Sequence, residues 1–193
     1  MMMQEIEIFY PTDTSAWREW LMENHQTKQA VWIFFHKKSS EKKSITWSEA
    51  VDVALCFGWI DSKKISVDNE TSHQYFSKRK PKSTWSKINK QKVLNLIDSG
   101  LMHDAGRKSI EIAKENGSWT LLDEVEELII PKDLEAEFAT KPHAKAFYVS
   151  LSISVKKALL QWIVLARLPQ VRQKRITEIV ESAEQNLKPK HLR

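Results

Sequence analysis

The chain has 193 residues, of which 41% are hydrophobic and 28% are charged, and its formal net charge is +5. These figures exclude a disordered or collagen-like chain and fit one globular domain, or one domain with a small appendage. Four glycines argue against a glycine-rich phosphate loop, and the single cysteine, Cys56, excludes an internal disulfide and a thiolate zinc site. The mild positive charge permits an anionic partner without requiring one.

The amino end carries no basic leader and no apolar stretch of signal length. The longest apolar run, residues 30–35, is far shorter than a membrane span. We therefore expect no membrane span and a cytoplasmic location.

The amino-terminal half begins with two predicted strands and a helix between them. Ile6 and Ile8 predict a short strand that places both on one face. Residues 30–35 predict a buried strand, because aromatic and β-branched residues fit a pleated sheet. Thr14 or Ser15 is expected to cap the intervening helix.

A second helix and a pair of strands follow. Thr46-x-x-Glu49 is a capping box, which predicts a helix that ends at Gly58. Residues 59–67 and 73–80 predict two paired strands with a polar turn between them.

Two further helices and an acidic stretch come next. Ser83 or Ser86 is expected to cap a third helix that ends at Gly100, and residues 103–116 predict a fourth. Residues 121–137 hold seven acids and one lysine, which is typical of a linker with a short helix.

The chain is predicted to be helical from Pro142 onward. Apolar residues recur at helical spacing within 155–166 and again within 176–183, and Pro169 suits the first turn of the last helix. The basic tail after Leu187 is expected to fray.

Strands grouped apart from helices favour an α+β fold. We predict a small antiparallel sheet with helices in the amino-terminal part, followed by a helical carboxyl-terminal part. The expected organisation is an α+β domain at 1–120, an acidic linker with a short helix at 121–141 and a helical subdomain at 142–193.

Most of the eight tryptophans are expected in the core. Those that lie on apolar stripes are Trp17, Trp32, Trp47 and Trp162. The candidates for exposure in a groove are Trp59, Trp85 and Trp119.

Asp61 is the first candidate functional residue, because it stands in a predicted strand, where Asp is disfavoured. Two interpretations stay open: an ion pair with Arg79 or Lys80 across the paired strands, or a role facing a ligand. The nearby Cys56 is expected to be a small buried hydrophobe rather than a nucleophile.

The second candidate is the basic segment, residues 78–92, which holds seven basic residues, no acid and Trp85. Basic side chains at the start of a helix suit an anion, and an aromatic ring among them suits base stacking. The alternative is a solvated charged face with Trp85 in the core.

The third candidate is the basic turn at 167–175, which is similar to the turn of a nucleic-acid-binding helix pair. We expect instead that Arg172 and Arg175 pair with the acids of 123–137. No two histidines are three or four residues apart, so no metal site is predicted and no cofactor is implied.

Residues 54–62 and 79–90 resemble the YdeI/OmpD-associated family, also called bacteriocin-protection proteins. Residues 17–21 and 32–38 are similar to the family's tryptophan-rich first helix and its strand ending in paired lysines. The carboxyl-terminal helical pair is similar to the domain that names the family. The resemblance covers nearly the whole chain. It implies protection against membrane-active peptides or envelope stress, and no known reaction.

We predict a non-enzymatic protein that binds an anionic ligand, either a small phosphate or carboxylate or a nucleic acid. Arg79 and Lys80 are expected to contact the anion, Trp85 to stack on it and Asp61 to orient a basic side chain. The complete predicted ligand-binding set is Trp59, Asp61, Arg79, Lys80, Ser83, Trp85 and Asn89.

Two alternatives remain at this stage. One is an enzyme in which Asp61 is the acid or base and Lys37 or Lys38 reaches the same cleft. The other is a stress-response protein that contacts a partner through its helical end. The sequence does not fix the oligomeric state.

Overall fold

The computed structural model describes residues 6–37, 40–42 and 44–192. The chain divides into two compact units, one ending at Trp119 and the other beginning at Thr120. Each unit contains its own cluster of buried hydrophobic side chains. Sheet and helices in the first unit and helices in the second confirm the α+β class.

A four-stranded sheet lies in the first unit and has the order β1-β2-β4-β3. Its strands are β1 (Ile8–Phe9), β2 (Ala30–His36), β3 (Trp59–Ser66) and β4 (Thr71–Lys78). β4 pairs in antiparallel fashion with β2 and β3, whereas β1 pairs with β2 in parallel. The predicted antiparallel sheet is therefore mixed, because the long connection through the first helix lets β1 and β2 run the same way.

Four helices accompany this sheet in the described part of the first unit. They are α1 (Thr14–Asn24), α2 (Trp47–Cys56), α3 (Lys87–Asp98) and α4 (Asp104–Glu115). The capping box of Thr46 and Glu49 is present on α2, and Ser86 caps α3. The expected cap of α1 was wrong by one residue, since the Asp13 carboxylate accepts the hydrogen bond from the Ala16 amide at 2.8 Å.

The core of the first unit follows the alternation of its strands. Val31, Ile33 and Phe35 of β2 are buried, and Phe76 of β4 lies among the same side chains. Burying one face of β2 and β4 in this way contributes favourable free energy to the unit. Ile8 does not take part, because it is exposed at the edge of the sheet.

The tryptophans do not follow the sequence prediction. Trp17 is buried as expected, but Trp47 is 51% exposed. Trp59 and Trp85, proposed for a groove, are 0% and 1% exposed. Trp47 was expected on the buried apolar face of α2. It is the first residue of the helix, and its side chain lies beyond that face.

The second unit is helical throughout the residues described. Its helices are α5 (Asp123–Glu126), α6 (Lys132–Thr140), α7 (Pro142–Ser150), α8 (Ile153–Val164) and α9 (Pro169–Glu184). The acidic stretch thus contains α5 and most of α6, and Leu134 and Phe138 of α6 are buried. Pro169 opens α9, as predicted.

The tail after Leu187 does not fray as expected. Residues Lys190–Leu192 form a short 3-10 turn, and the His191 ring lies 3.9 Å from the Trp162 ring, centre to centre. Leu192 packs against the hydrophobic cluster of the second unit, which explains why the tail is ordered. Within the residues described, every helix is too short or too polar to cross a bilayer.

Candidate functional site

A cleft of about 610 Å³ lies in the first unit where the turn before β3, the end of β4 and the first turns of α4 meet. We call it the Arg79 cleft. Its cationic side chains are Lys78, Arg79 and Lys108, and its acid is Asp104. The cleft therefore has an excess of positive charge at the amino end of a 12-residue helix, where the helix dipole also favours an anion.

The turn before β3 has a shape that only glycine permits. Gly58 has a φ of +69°, and a Cβ on it would meet the Ala105 carbonyl oxygen at 3.0 Å. Its own carbonyl accepts a hydrogen bond from the Arg79 amide at 2.9 Å. The close approach of α4 to this turn is what forms one wall of the cleft.

The Arg79 guanidinium is held on two sides. Its carbon lies 3.7 Å from the centre of the Trp85 ring, which covers one face. Its Nη1 donates to the Thr84 carbonyl at 2.8 Å and to the Ser83 hydroxyl at 3.3 Å. These contacts fix the orientation of the group.

The opposite edge of the same group is unsatisfied. Nε and Nη2 of Arg79 are buried, and neither has a hydrogen-bond partner among the residues that the structure describes. Burial lowers the pKa of Arg79 to about 10, and the Asp61 carboxylate opposes this shift. The group is therefore still a cation at neutral pH.

The second unit shows what this edge of an arginine does when it has a partner. Arg172 donates from Nε and Nη2 to the two carboxylate oxygens of Asp133, at 2.6 and 3.0 Å. Such a bidentate pair is the preferred geometry between guanidinium and a two-oxygen anion. In Arg79, which lines the basic cleft, the same two donors are buried and lack such a partner in the described structure.

Two histidines in the cleft have fixed and opposite tautomers when neutral. His25 Nδ1 lies 2.8 Å from the Leu21 carbonyl, so it carries the proton, and the buried Nε2 is an acceptor without a partner in the described structure. His103 Nδ1 accepts from the Ala105 amide as the cap of α4, so its proton is on Nε2. Their ring centres are 5.0 Å apart.

The predicted site residues divide into two groups. Trp59 and Arg79 line the cleft, while Ser83 and Trp85 hold the guanidinium from behind. Trp85 is buried and covered by Arg79, so its ring is not open for stacking on a ligand; this is the arrangement of the core alternative. Lys80 is exposed and lies outside the cleft lining.

Asn89 and Asp61 also lie outside that lining. The Asn89 amide donates to the Ser86 hydroxyl at 3.2 Å, within the cap of α3. Asp61 accepts hydrogen bonds from Trp47 at 2.9 Å and Gln74 at 3.2 Å, so the expected ion pair with Arg79 or Lys80 is replaced by neutral donors.

Sequence reasoning missed the contribution of α4. Lys108, His103 and His25 line the cleft, but they are distant in sequence from the basic segment. The one available signal was His103 at the start of the helix predicted for 103–116, where a capping residue is expected. Nothing local indicates that α4 lies against Gly58.

Three lysines of the basic segment contact other groups of the first unit. Lys78 donates to the Gln26 carbonyl at 2.7 Å, and Lys92 forms an ion pair with Asp52. The Lys90 ammonium lies 5.3 Å from the centre of the Trp119 ring. Of these three contacts, only the one between Lys92 and Asp52 is with an acid.

The pairing predicted for the basic turn of the second unit is confirmed for Arg172 and wrong for Arg175. Arg172 pairs with Asp133 of the acidic stretch, whereas Arg175 donates to the Trp162 carbonyl. Cys56 is buried, and burial raises the pKa of its thiol, which fits a structural role. Lys38, named with Lys37 for the enzyme alternative, lies outside the described residues.

Family models match two parts of the chain. Residues 9–109 match a domain of unknown function (DUF8412), and residues 127–186 match the family described as Bacteriocin-protection, YdeI or OmpD-Associated. The second match confirms the predicted family over residues 127–186, whereas the motifs at 54–62 and 79–90 lie within the DUF8412 match. No curated protein and no solved structure matches the chain significantly.

Proposed function

This chain belongs to the family defined by the domain of unknown function DUF8412, and from that premise we propose that its first unit is a binding protein for a small oxyanion. The ligand is a phosphate or carboxylate compound that docks in the Arg79 cleft. The observation that carries the proposal is the buried Nε and Nη2 edge of Arg79, which has no partner in the described structure.

Buried donors on a charged group favour such a ligand. Leaving one buried donor without a partner costs about 1–3 kcal/mol, and more when the group is charged. An anion with two oxygens satisfies both donors at once, as Asp133 does for Arg172. Trp85, Ser83 and Thr84 already hold the guanidinium, so its own orientation need not change on binding. Because Nε and Nη2 are buried, the ligand must displace the group that covers them.

The surroundings add to this attraction. Lys78 and Lys108 line the same cleft and outnumber Asp104, and the amino end of α4 adds its partial positive charge. The His103 Nε2 proton gives a further donor in the neutral state. Each of these contributions favours an anion over a neutral ligand.

A small ligand is favoured over a nucleic acid. Lys92 is paired with Asp52, and Trp85, proposed to stack on a base, is buried. Nucleic-acid binding needs a track of available cations and exposed rings. A cleft of about 610 Å³ instead fits one compact anion.

The test is titration of the purified protein with inorganic phosphate and with succinate, followed by calorimetry and by tryptophan fluorescence. Arg79→Gln should weaken binding at least tenfold, because it removes the bidentate edge and the charge. Arg107→Gln is the matched control: Arg107 lies exposed on α4 outside the cleft lining and should bind like the parent.

Equal binding by Arg79→Gln and the parent would refute the proposal, provided that circular dichroism shows both folded. So would tight binding of a single-stranded oligonucleotide that weakens steeply with salt, since that is the behaviour of a phosphate-tracking surface.

The enzyme alternative has less support. Asp61 Oδ2 accepts two hydrogen bonds, from Trp47 and Gln74, and Lys37 donates to Ser66 and to the Asp68 carbonyl. A general acid or base must reach a substrate proton, and these side chains already serve the fold. An activity screen in which Asp61→Asn loses turnover would restore this alternative.

The family description links residues 127–186 to bacteriocin protection, and we propose resistance to such peptides as the cellular role. In host cells lacking this protein, the parent gene should restore survival during bacteriocin exposure. Restoration by the Arg79→Gln gene would separate that role from anion binding.

A further inference from the structure

A second cleft of the first unit shares no lining residue with the Arg79 cleft. It has a volume of about 700 Å³ and lies between the end of β2, the start of α2 and the neighbouring positions of β3 and β4. We name it the Trp47 cleft. We propose that it binds a mononucleotide, with the base stacked on Trp47 and the phosphate held by Lys42 and Lys64.

Trp47 has an exposed aromatic ring in this cleft. Its ring is 51% exposed, although its indole nitrogen already donates to Asp61 at 2.9 Å. The part of the side chain left for a ligand is therefore the aromatic ring itself. A large ring held in one orientation and left open is typical of a stacking surface.

Asp61 is a positioning residue for that ring. The carboxylate oxygen that accepts from Trp47 also accepts from the Gln74 amide at 3.2 Å, and Gln74 is buried and donates to the Ser62 carbonyl at 3.1 Å. The pairing of β3 with β4 is irregular between Asp61 and Lys64. This chain of hydrogen bonds connects the exposed ring to the sheet and gives a reason for an acid within a strand.

The cleft also contains the ammonium groups of two exposed lysines. Lys42 and Lys64 line the cleft, both are exposed, and neither forms an ion pair in the described part of the chain. Lys37 differs, because it is fixed to Ser66 and to the Asp68 carbonyl. Lysine ammonium groups bind phosphate as point charges. The negative charge of a phosphate between Lys42 and Lys64 would offset the repulsion between their two positive charges.

Several of the remaining lining residues are polar and fit a ribose. Ser40, Ser44 and Ser72 line the cleft, and His36 has a buried Nδ1 without a partner in the described residues. The Ser40 hydroxyl donates to Glu70, and the Ser44 hydroxyl accepts from the His36 amide. Each of these two hydroxyls therefore has only part of its hydrogen-bonding capacity left for a ligand. A ring face, hydroxyls and two available cations within one cleft match the three parts of a mononucleotide: base, sugar and phosphate. A bare oxyanion would leave the ring of Trp47 unused.

The experiment is titration of the full chain with AMP and UMP at low salt, using quenching of tryptophan fluorescence and calorimetry. Adenosine and inorganic phosphate are titrated separately into the Arg79→Gln variant, so that the Arg79 cleft does not contribute, and each should bind at least tenfold more weakly than AMP. Lys64→Gln should weaken AMP binding about fivefold or more. Lys63→Gln is the matched control, because Lys63 is the adjacent exposed lysine and does not line the cleft.

Trp47 and Asp61 are tested together. Trp47→Leu should lower AMP affinity at least tenfold, and Trp47→Phe should retain part of it because a ring remains. Asp61→Ala should weaken AMP binding in the parent but have no further effect in Trp47→Leu. A merely structural role of Asp61 would lower affinity in both backgrounds.

Because AMP also carries a phosphate, its binding is measured in the Arg79→Gln background, where the anion site of the Arg79 cleft is lost; AMP should still bind there, which separates the two sites. The proposal is overturned if AMP and UMP do not bind at low salt, or if Trp47→Leu binds AMP as the parent does. It is also overturned if Lys63→Gln and Lys64→Gln have equal effects, since nonspecific attraction to positive charge would then explain the binding.

Discussion

Arg79 and Arg172 present the same edge of the guanidinium group to different surroundings. In Arg172 that edge is satisfied by Asp133, and the hydrogen bonds from Arg172 lower the pKa of the Asp133 carboxyl. In Arg79 the edge is buried and has no partner among the described residues, so burial lowers the pKa of the guanidinium instead. This difference between the two arginine side chains is the basis of the proposed anion site.

His103 gives a prediction at the same scale. Burial, His25 and Arg18 lower its pKa below the usual 6.5, and Asp104 opposes them. The folded protein therefore resists protonation of His103 more than the unfolded chain does. Its contribution to stability is complete above about pH 6.5 and is lost as the pH falls toward the lowered folded value.

His103→Asn should reduce this pH dependence, because asparagine also caps helices but does not titrate. The measurement is urea unfolding of both proteins from pH 7.5 to 5. The free energy of unfolding of the parent should fall more steeply below pH 6.5 than that of the variant. Parallel curves would show that protonation of His103 does not couple to folding.

At the scale of elements, the approach of α4 to the end of α2 determines the wall of the Arg79 cleft. A Cβ on Gly106 would lie 2.3 Å from the Cys56 carbonyl oxygen and 2.5 Å from the Met102 sulfur. The backbones can pack this closely only because Gly106 has no side chain. Glycine here serves helix packing rather than a turn.

Gly106→Ala should destabilise the protein by about 1–3 kcal/mol, the usual range for overpacking. Helix propensity alone predicts the opposite sign, since Ala is favoured over Gly by about 1 kcal/mol within a helix. Thermal unfolding measured by circular dichroism decides between them. An unchanged or raised melting temperature would mean that α4 can shift away from Cys56 without loss.

Local signals predicted several elements well. Thr46 and Glu49 are three residues apart and form their capping box within one turn, so the sequence contains the whole interaction. The strand order β1-β2-β4-β3 has no such local signal. It depends on which edges pair after collapse, and the parallel pairing of β1 was accordingly not predicted.

At the scale of the whole molecule, the buried hydrophobic side chains form two clusters. One is drawn from residues before Thr120 and the other from residues after it. Seven of the eight tryptophans belong to the first unit, so tryptophan fluorescence reports mainly on that unit. Far-ultraviolet circular dichroism reports on helices of both.

Leu160→Ala should therefore unfold the second unit at lower denaturant than the first. Leu160 is fully buried, and such truncations cost about 2–5 kcal/mol. The dichroism transition should become biphasic, while the main fluorescence midpoint stays at the parental value. If both midpoints shift together, the two clusters unfold as one cooperative system.

The sequence by itself determined the α+β class, the ends of α2 and α4, the end of α3, the start of α9 and the carboxyl-terminal family, because caps, glycine stops and apolar periodicity act within a few residues. It also identified Arg79, Ser83 and Trp85 as a group, since they are near neighbours in the chain. Only the tertiary structure decided that Trp85 is covered by Arg79, that Trp47 is exposed and that His25 and Lys108 line the Arg79 cleft. Burial and cleft lining depend on contacts between segments far apart in sequence, and the pattern of residues within one segment does not specify its partner.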